Sequence, residues 1–193
     1  MILSQNFADF NIGRVKVPVT LASTGKNDYA ILMLVNEFDK PIIGKWLFPW
    51  ENEIRKEAKS EKRILIKLEY REKVLGLVSY IVVKDKNIMI IEHLEAQQDL
   101  ENRVAEPIGK WLLWYCYKVS MDFCLGEELS DKPFVLLYSK PRAFRYYKEK
   151  IGMTYQDSIR LEEGEIHVFT DSRNRAKEYM QNLLKRYGEP IFC

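Results

Sequence analysis

The sequence predicts an α+β fold, a mixed and largely antiparallel sheet flanked by helices in a single domain over residues 1–193, on three observations. Three strand-like runs, "RILIKLEYREK", "VLGLVSYIVVK" and "NIMIIEHLEAQ", follow one another across short charged turns such as Lys84-Asp85-Lys86-Asn87, which implies an antiparallel meander. Helix-like and strand-like runs then alternate to the C-terminus, an order that makes the sheet mixed. The chain is 47% hydrophobic without a break in composition, enough to bury one sizeable core.

Each element has its local reason. After an irregular start, "NDYAILMLVNEF" opens on Asn27 or Asp28 as a cap and stays apolar long enough to predict a helix. The strongly charged "ENEIRKEAKSEKR" predicts a second helix lying on the surface. Beyond the meander, "EPIGKWLLWYCYKVSMDF" reads as a helix, with Pro107 tolerated in its first turn because its missing N–H has no partner there in any case. "KPFVLLYSK" reads as a buried strand, "PRAFRYYKEKIG" as a helix closed by Gly152, and "GEIHVFTDS" as a further strand. The last helix, "RNRAKEYMQNLLKRYG", ends at Gly188.

Thirty basic and 28 acidic residues leave a net charge of +2, with the signs interleaved, so charge gives no indication of nucleic-acid binding. Cys116 and Cys124 fall in or just after an apolar helix and Cys193 is terminal; no pair has metal-ligand or redox spacing, which points to a reducing compartment and no metal. No run approaches the ~18 apolar residues of a membrane span, and "MILSQNFADF" does not read as a leader. The expectation is a cytoplasmic protein with no membrane partner.

One junction asks for chemistry. "ENRVAEPIGKWLL" turns from charged loop to apolar helix, and a helix start offers unpaired N–H groups and a positive dipole end to an anion. With "IIEHLEAQ" before it and "PFVLLYS" and "AFRYYKEKIGM" after it, the chain resembles the GNAT superfamily of acyl-CoA-dependent N-acyltransferases over about residues 64–170. Leu94 and Ala96 match the end of the family's last meander strand. Ile108, Gly109, Leu112 and Leu113 match the pyrophosphate helix, and Tyr147, Gly152 and Met153 match the late helix. The loop departs from the pattern: Val104 and Ala105 stand near expected glycines, Pro107 removes a donor, and the loop is long.

The resemblance implies acetyl-CoA as co-substrate, lying where the strand before the loop and the strand after the helix splay apart. Leu94, Glu95 and Ala96 on the strand, and Arg103, Val104, Ala105, Ile108, Gly109 and Lys110 at the junction, are the implied cofactor-binding residues. Arg103 could offset the lost N–H by pairing with a phosphate oxygen. Alternation along "IMIIEHLEAQ" places Glu92 with Ile90, Leu94 and Ala96, an apolar setting expected to raise a carboxylate pKa. Glu92 is the candidate base, with an ordinary salt-bridged glutamate as the competing reading. His93 and Glu95 fall on the opposite face, Glu95 being the weaker alternative base.

Tyr147 is the candidate acid for the departing thiolate, against a packing role, while Tyr146 is expected to point elsewhere. His167 is expected to be satisfied locally. Trp111, Trp114 and Tyr115 at helical spacing predict core packing, and "KWLFPW" a turn of buried aromatics bordering the acceptor site. Function then reads as transfer of an acetyl group to a primary amine of a small molecule or peptide. The alternatives are a degenerate GNAT-fold binding or dimerisation module, or this order of elements with no CoA site; a homodimer is left open.

Overall fold

The computed structural model describes residues 10–35, 46–50, 63–97, 104, 107–124, 131–162 and 164–193. The meander forms as expected from strands β3 (Arg63–Tyr70), β4 (Lys73–Val83) and β5 (Ile88–Ala96), each antiparallel to the next. Arg71 and Glu72 both take positive φ, 48° and 64°, so a tight left-handed turn links β3 to β4. Upstream, β1 (Val15–Thr20) and β2 (Asn27–Leu34) form a hairpin, and β2 pairs with β3.

The helix expected from Asn27 or Asp28 is therefore a strand through Leu34, and residues 36–38 of that run lie outside the described residues. Ala30 and Leu32 are fully buried while their neighbours are not, a period of two that the continuous apolar run conceals. Pairing on both sides, to β1 and β3, settles the ambiguity in favour of the strand. The charged helix expected over residues 51–63 also falls outside the described residues, apart from Arg63, which opens β3.

Helix α1 (Ile108–Phe123) carries the chain across to β6 (Pro133–Ser139), parallel to β5. Pro107 sits one residue before the helix rather than within its first turn. After β6 the expected helix breaks into a tight turn over Pro141–Ala143 and a wide π-turn over Tyr146–Ile151, closed by Gly152 at φ 82°. Strands β7 (Thr154–Leu161), β8 (Gly164–Ser172) and, beyond helix α2 (Arg173–Tyr187), the short β9 (Ile191–Phe192) complete a mixed sheet of nine strands among the described residues, order β7-β8-β6-β5-β4-β3-β2-β1-β9. Ser172 caps α2 and Gly188 ends it, where the sequence placed its close. No helix among the described residues is long and apolar enough to cross a membrane.

The core lies between the sheet and α1, whose aromatic run is buried on nearly every side. Three of its polar tips are satisfied: Trp111 Nε1 donates to Pro18 O at 2.6 Å, Tyr115 donates to Gly13 O at 3.2 Å, and Tyr117 donates to buried Asp171, whereas Trp114 Nε1 is buried with no partner among the described residues. Trp111, Trp114 and Tyr115 are thus core, as their spacing predicts.

Gly76 on β4 lets the start of α1 approach the sheet. A Cβ there would stand 2.7 Å from Leu112 Cδ1 and 2.8 Å from Ile108 Cγ2. Gly76→Ala is expected to cost ~1–3 kcal/mol through overpacking, read as a lower denaturant midpoint. An unchanged midpoint would show that the helix start yields freely.

Candidate active site

A β-bulge decides which side chains meet. Tyr80 pairs with Ile91 and Ser79 with His93, leaving Glu92 as the extra residue of β5. The insertion shifts the alternation. Met89 and Ile91 face the main core below the bulge, and Leu94 packs against that same core above it. His93 instead stacks on Phe48, centroids 3.8 Å apart, and Glu95 accepts from Leu47 N at 2.7 Å, Phe48 N at 3.2 Å and Trp50 Nε1 at 2.9 Å.

The split expected from alternation holds for four of these residues, Leu94 and Ala96 lying on the α1 side and His93 and Glu95 on the face opposite α1, and it is corrected for Glu92, which alternation groups with Leu94 and Ala96. Glu92 joins that opposite face, where both its oxygens accept from Arg63, at 2.5 Å from Nε and 2.9 Å from Nη2. Its setting is an ion pair rather than an apolar one, because Arg63 at the head of β3 reaches across the sheet to the bulged residue.

β5 and β6 pair only from Met89–Ile91 to Val135–Leu137 and then separate. From Glu92 to Ala96 the β6-facing edge of β5 has no strand partner among the described residues. The gap opens into a cleft of about 420 Å³, with β5 as one wall, the end of β6 and the turn after it as the other, and Gly109, Tyr146 and Tyr147 beside it.

At the α1 junction, Lys110 N and Trp111 N bond to Pro107 O, which leaves the N–H groups of Ile108 and Gly109 without partners among the described residues. A Cβ on Gly109 would stand 3.4 Å from the Tyr146 hydroxyl and 3.6 Å from Ala96 Cβ, so glycine keeps this corner open. Val104 is buried in the main core. Arg103 and Ala105 lie outside the described residues. Lys110 directs its ammonium out of the cleft, 5.9 Å from the Tyr187 ring, into a neighbouring groove of about 270 Å³ between α1, the π-turn and α2.

The π-turn carries both tyrosines. Gly152 N bonds to Tyr147 O at 2.9 Å across five residues, one more than in an α-helix, and the wide turn brings Tyr146 as well as Tyr147 to the cleft. Tyr146 therefore does not point elsewhere. Neither hydroxyl has a hydrogen-bond partner among the described residues. Burial pushes the Tyr146 hydroxyl up to about 12, and burial, with the neighbouring Tyr146 and Cys116 adding to it, pushes Tyr147 higher still. Both stay protonated, hence able to donate, throughout the neutral range.

The aromatic turn at Trp46–Trp50 borders the cleft through Leu47, Phe48 and Trp50. Its anchor, Glu95, does more than the sequence signals, since only the bulge shows that its carboxylate meets this turn. Gly76 was missed for a similar reason: nothing local marks a glycine needed by a helix 32 residues downstream, at Ile108. His167 stays off the cleft, against Phe144 at 4.7 Å, but its Nδ1 is buried with no hydrogen-bond partner among the described residues, so it is packed rather than satisfied.

No family model and no curated protein sequence matches the chain. Solved structures do. Mycobacterium smegmatis RimJ in complex with CoA-disulfide superposes with TM-score 0.57 at 10% identity, covering 93% of this chain and 97% of that one. A GCN5-related N-acetyltransferase from Brucella melitensis gives 0.58 at 12% identity, covering 88% of each chain. An aminoglycoside acetyltransferase in complex with coenzyme A and kanamycin gives 0.53 at 14%, covering 76% of this chain and 96% of that one. The chain thus shares the overall fold of these acetyltransferases, the GNAT fold.

Proposed function

We propose that the protein is an N-acetyltransferase that moves an acetyl group from acetyl-CoA to a primary amine. The observation that carries the reading is the parting of β5 from β6 directly beside two unpartnered N–H groups at the α1 start. That corner fits a phosphate: two N–H donors stand side by side at the helix start, the dipole favours an anion, and Gly109 has no side chain to hinder approach. Lys110 stands just outside, where it can meet the nucleotide end, and Arg103 on the preceding loop is carried over from the resemblance.

Glu92, or a water it holds beside Arg63, takes the proton from the attacking amine. The bulge sets His93 on the same face as a second candidate base. As the nitrogen forms the new C–N bond, the free edge of β5 between Leu94 and Ala96 supplies backbone donors to the carbonyl oxygen. The C–S bond breaks with its electron pair on sulfur, and Tyr147 protonates the thiolate. Glu92→Gln and His93→Gln separate the two bases by which one lowers kcat while acetyl-CoA affinity is kept.

Acetyl-CoA is expected to raise the thermal midpoint with dose, since a ligand that binds only the folded state stabilises it by mass action. No shift at millimolar ligand would sink the enzyme reading and leave the degenerate binding module.

A further inference from the structure

Resting on that reading, we infer that the acceptor is an apolar α-amino acid, a primary amine carrying its own carboxylate, and not a polycation. The charges of the cleft point this way. Glu92 already gives both oxygens to Arg63, and Glu95 accepts three N–H donors from the Leu47–Trp50 turn. Neither is left over for a second ammonium. On the opposite wall, Lys140 and Arg142 are exposed and their side chains have no partner among the described residues.

A polyamine or aminoglycoside would bring extra positive charge toward unpaired cations; a carboxylate would find them vacant. The third element is apolar. Phe48 and Trp50 are locked together, ring centroids 5.1 Å apart, with His93 stacked behind Phe48, while Leu47 stands 67% exposed beside them. Held by Glu95, this wall is ready to receive an aliphatic or aromatic side chain without first being ordered. The amine can thus sit near the bulge, with its carboxylate on Lys140 and Arg142 and its side chain on the aromatic turn.

The test measures acetyl-CoA-dependent CoA formation by chromatography with phenylalanine, leucine, 2-phenylethylamine, spermidine and kanamycin, alongside calorimetry of acetyl-CoA alone. Phenylalanine is expected to exceed 2-phenylethylamine in kcat/KM by about 10- to 100-fold, the scale of one charge-assisted hydrogen bond. Spermidine and kanamycin should stay at background. The Lys140→Ala/Arg142→Ala double variant should erase the preference for the carboxylate and keep acetyl-CoA affinity.

Equal use of 2-phenylethylamine, a preference for either polycation, or a fall in acetyl-CoA affinity in the double variant would overturn the inference. So would acetyl-CoA binding without turnover of phenylalanine or leucine. Failure of acetyl-CoA to bind at all would instead overturn the acetyltransferase reading beneath it.

Discussion

Tyr147→Phe is expected to lower turnover ~10²- to 10⁴-fold, the range of a lost general acid, while acetyl-CoA affinity changes by less than about threefold. The ring stays, so its packing against Phe169 and Tyr146 stays, and only the proton donor goes. Burial holds the Tyr147 hydroxyl far above its ordinary value, so it keeps its proton well beyond neutral pH. The rate should then rise with pH as the acceptor amine loses its proton. The variant should trace the same curve at lower amplitude, because the missing group does not titrate in that window.

Tyr146→Phe is the control. Its hydroxyl stands by Gly109, so its loss should act on binding more than on turnover. Wild-type turnover in Tyr147→Phe with a large loss in Tyr146→Phe would move the acid one residue upstream.

That choice between neighbours shows where sequence reasoning stopped. The meander was legible because β3, β4 and β5 are apolar runs set off by charged turns, and α1 because an unbroken apolar run of helical length follows a proline. β7 was not, since Thr154–Leu161 is an edge strand exposed almost throughout, with no alternation to read. The site failed at two single-residue insertions. The bulge at Glu92 reverses every face beyond it, and the π-turn at Tyr146–Ile151 changes which residues share a side of the helix. Both are set by hydrogen bonding to other elements, and neither alters composition or period enough to be seen in one sequence. Residue types survived this better than residue positions: the glutamate, the tyrosine and the glycine are at the cleft, in partnerships the alternation rule did not give.

Gly109→Val carries the second large effect, and it separates a phosphate site from a mere helix start. In the fold the change is mild. Gly109 has ordinary helical geometry, the nearest atoms to an added Cβ are 3.4 Å or more away, and valine is the better helix former by a few tenths of a kcal/mol. Stability should move by less than about 1 kcal/mol. Binding is different, because the added methyls enter the corner between Ala96 and Tyr146 and screen the N–H groups of Ile108 and Gly109. Losing both as donors to an anion removes ~1.5–3 kcal/mol each, so CoA affinity should fall roughly 100-fold or more. A short acyl-pantetheine, which has no pyrophosphate to place there, should bind the variant nearly as well as the wild type. Calorimetric titration with both ligands decides the matter. If CoA binds Gly109→Val as tightly as wild type, those two N–H groups hold no phosphate, and the glycine serves only to bring α1 close to Leu94 and Ala96.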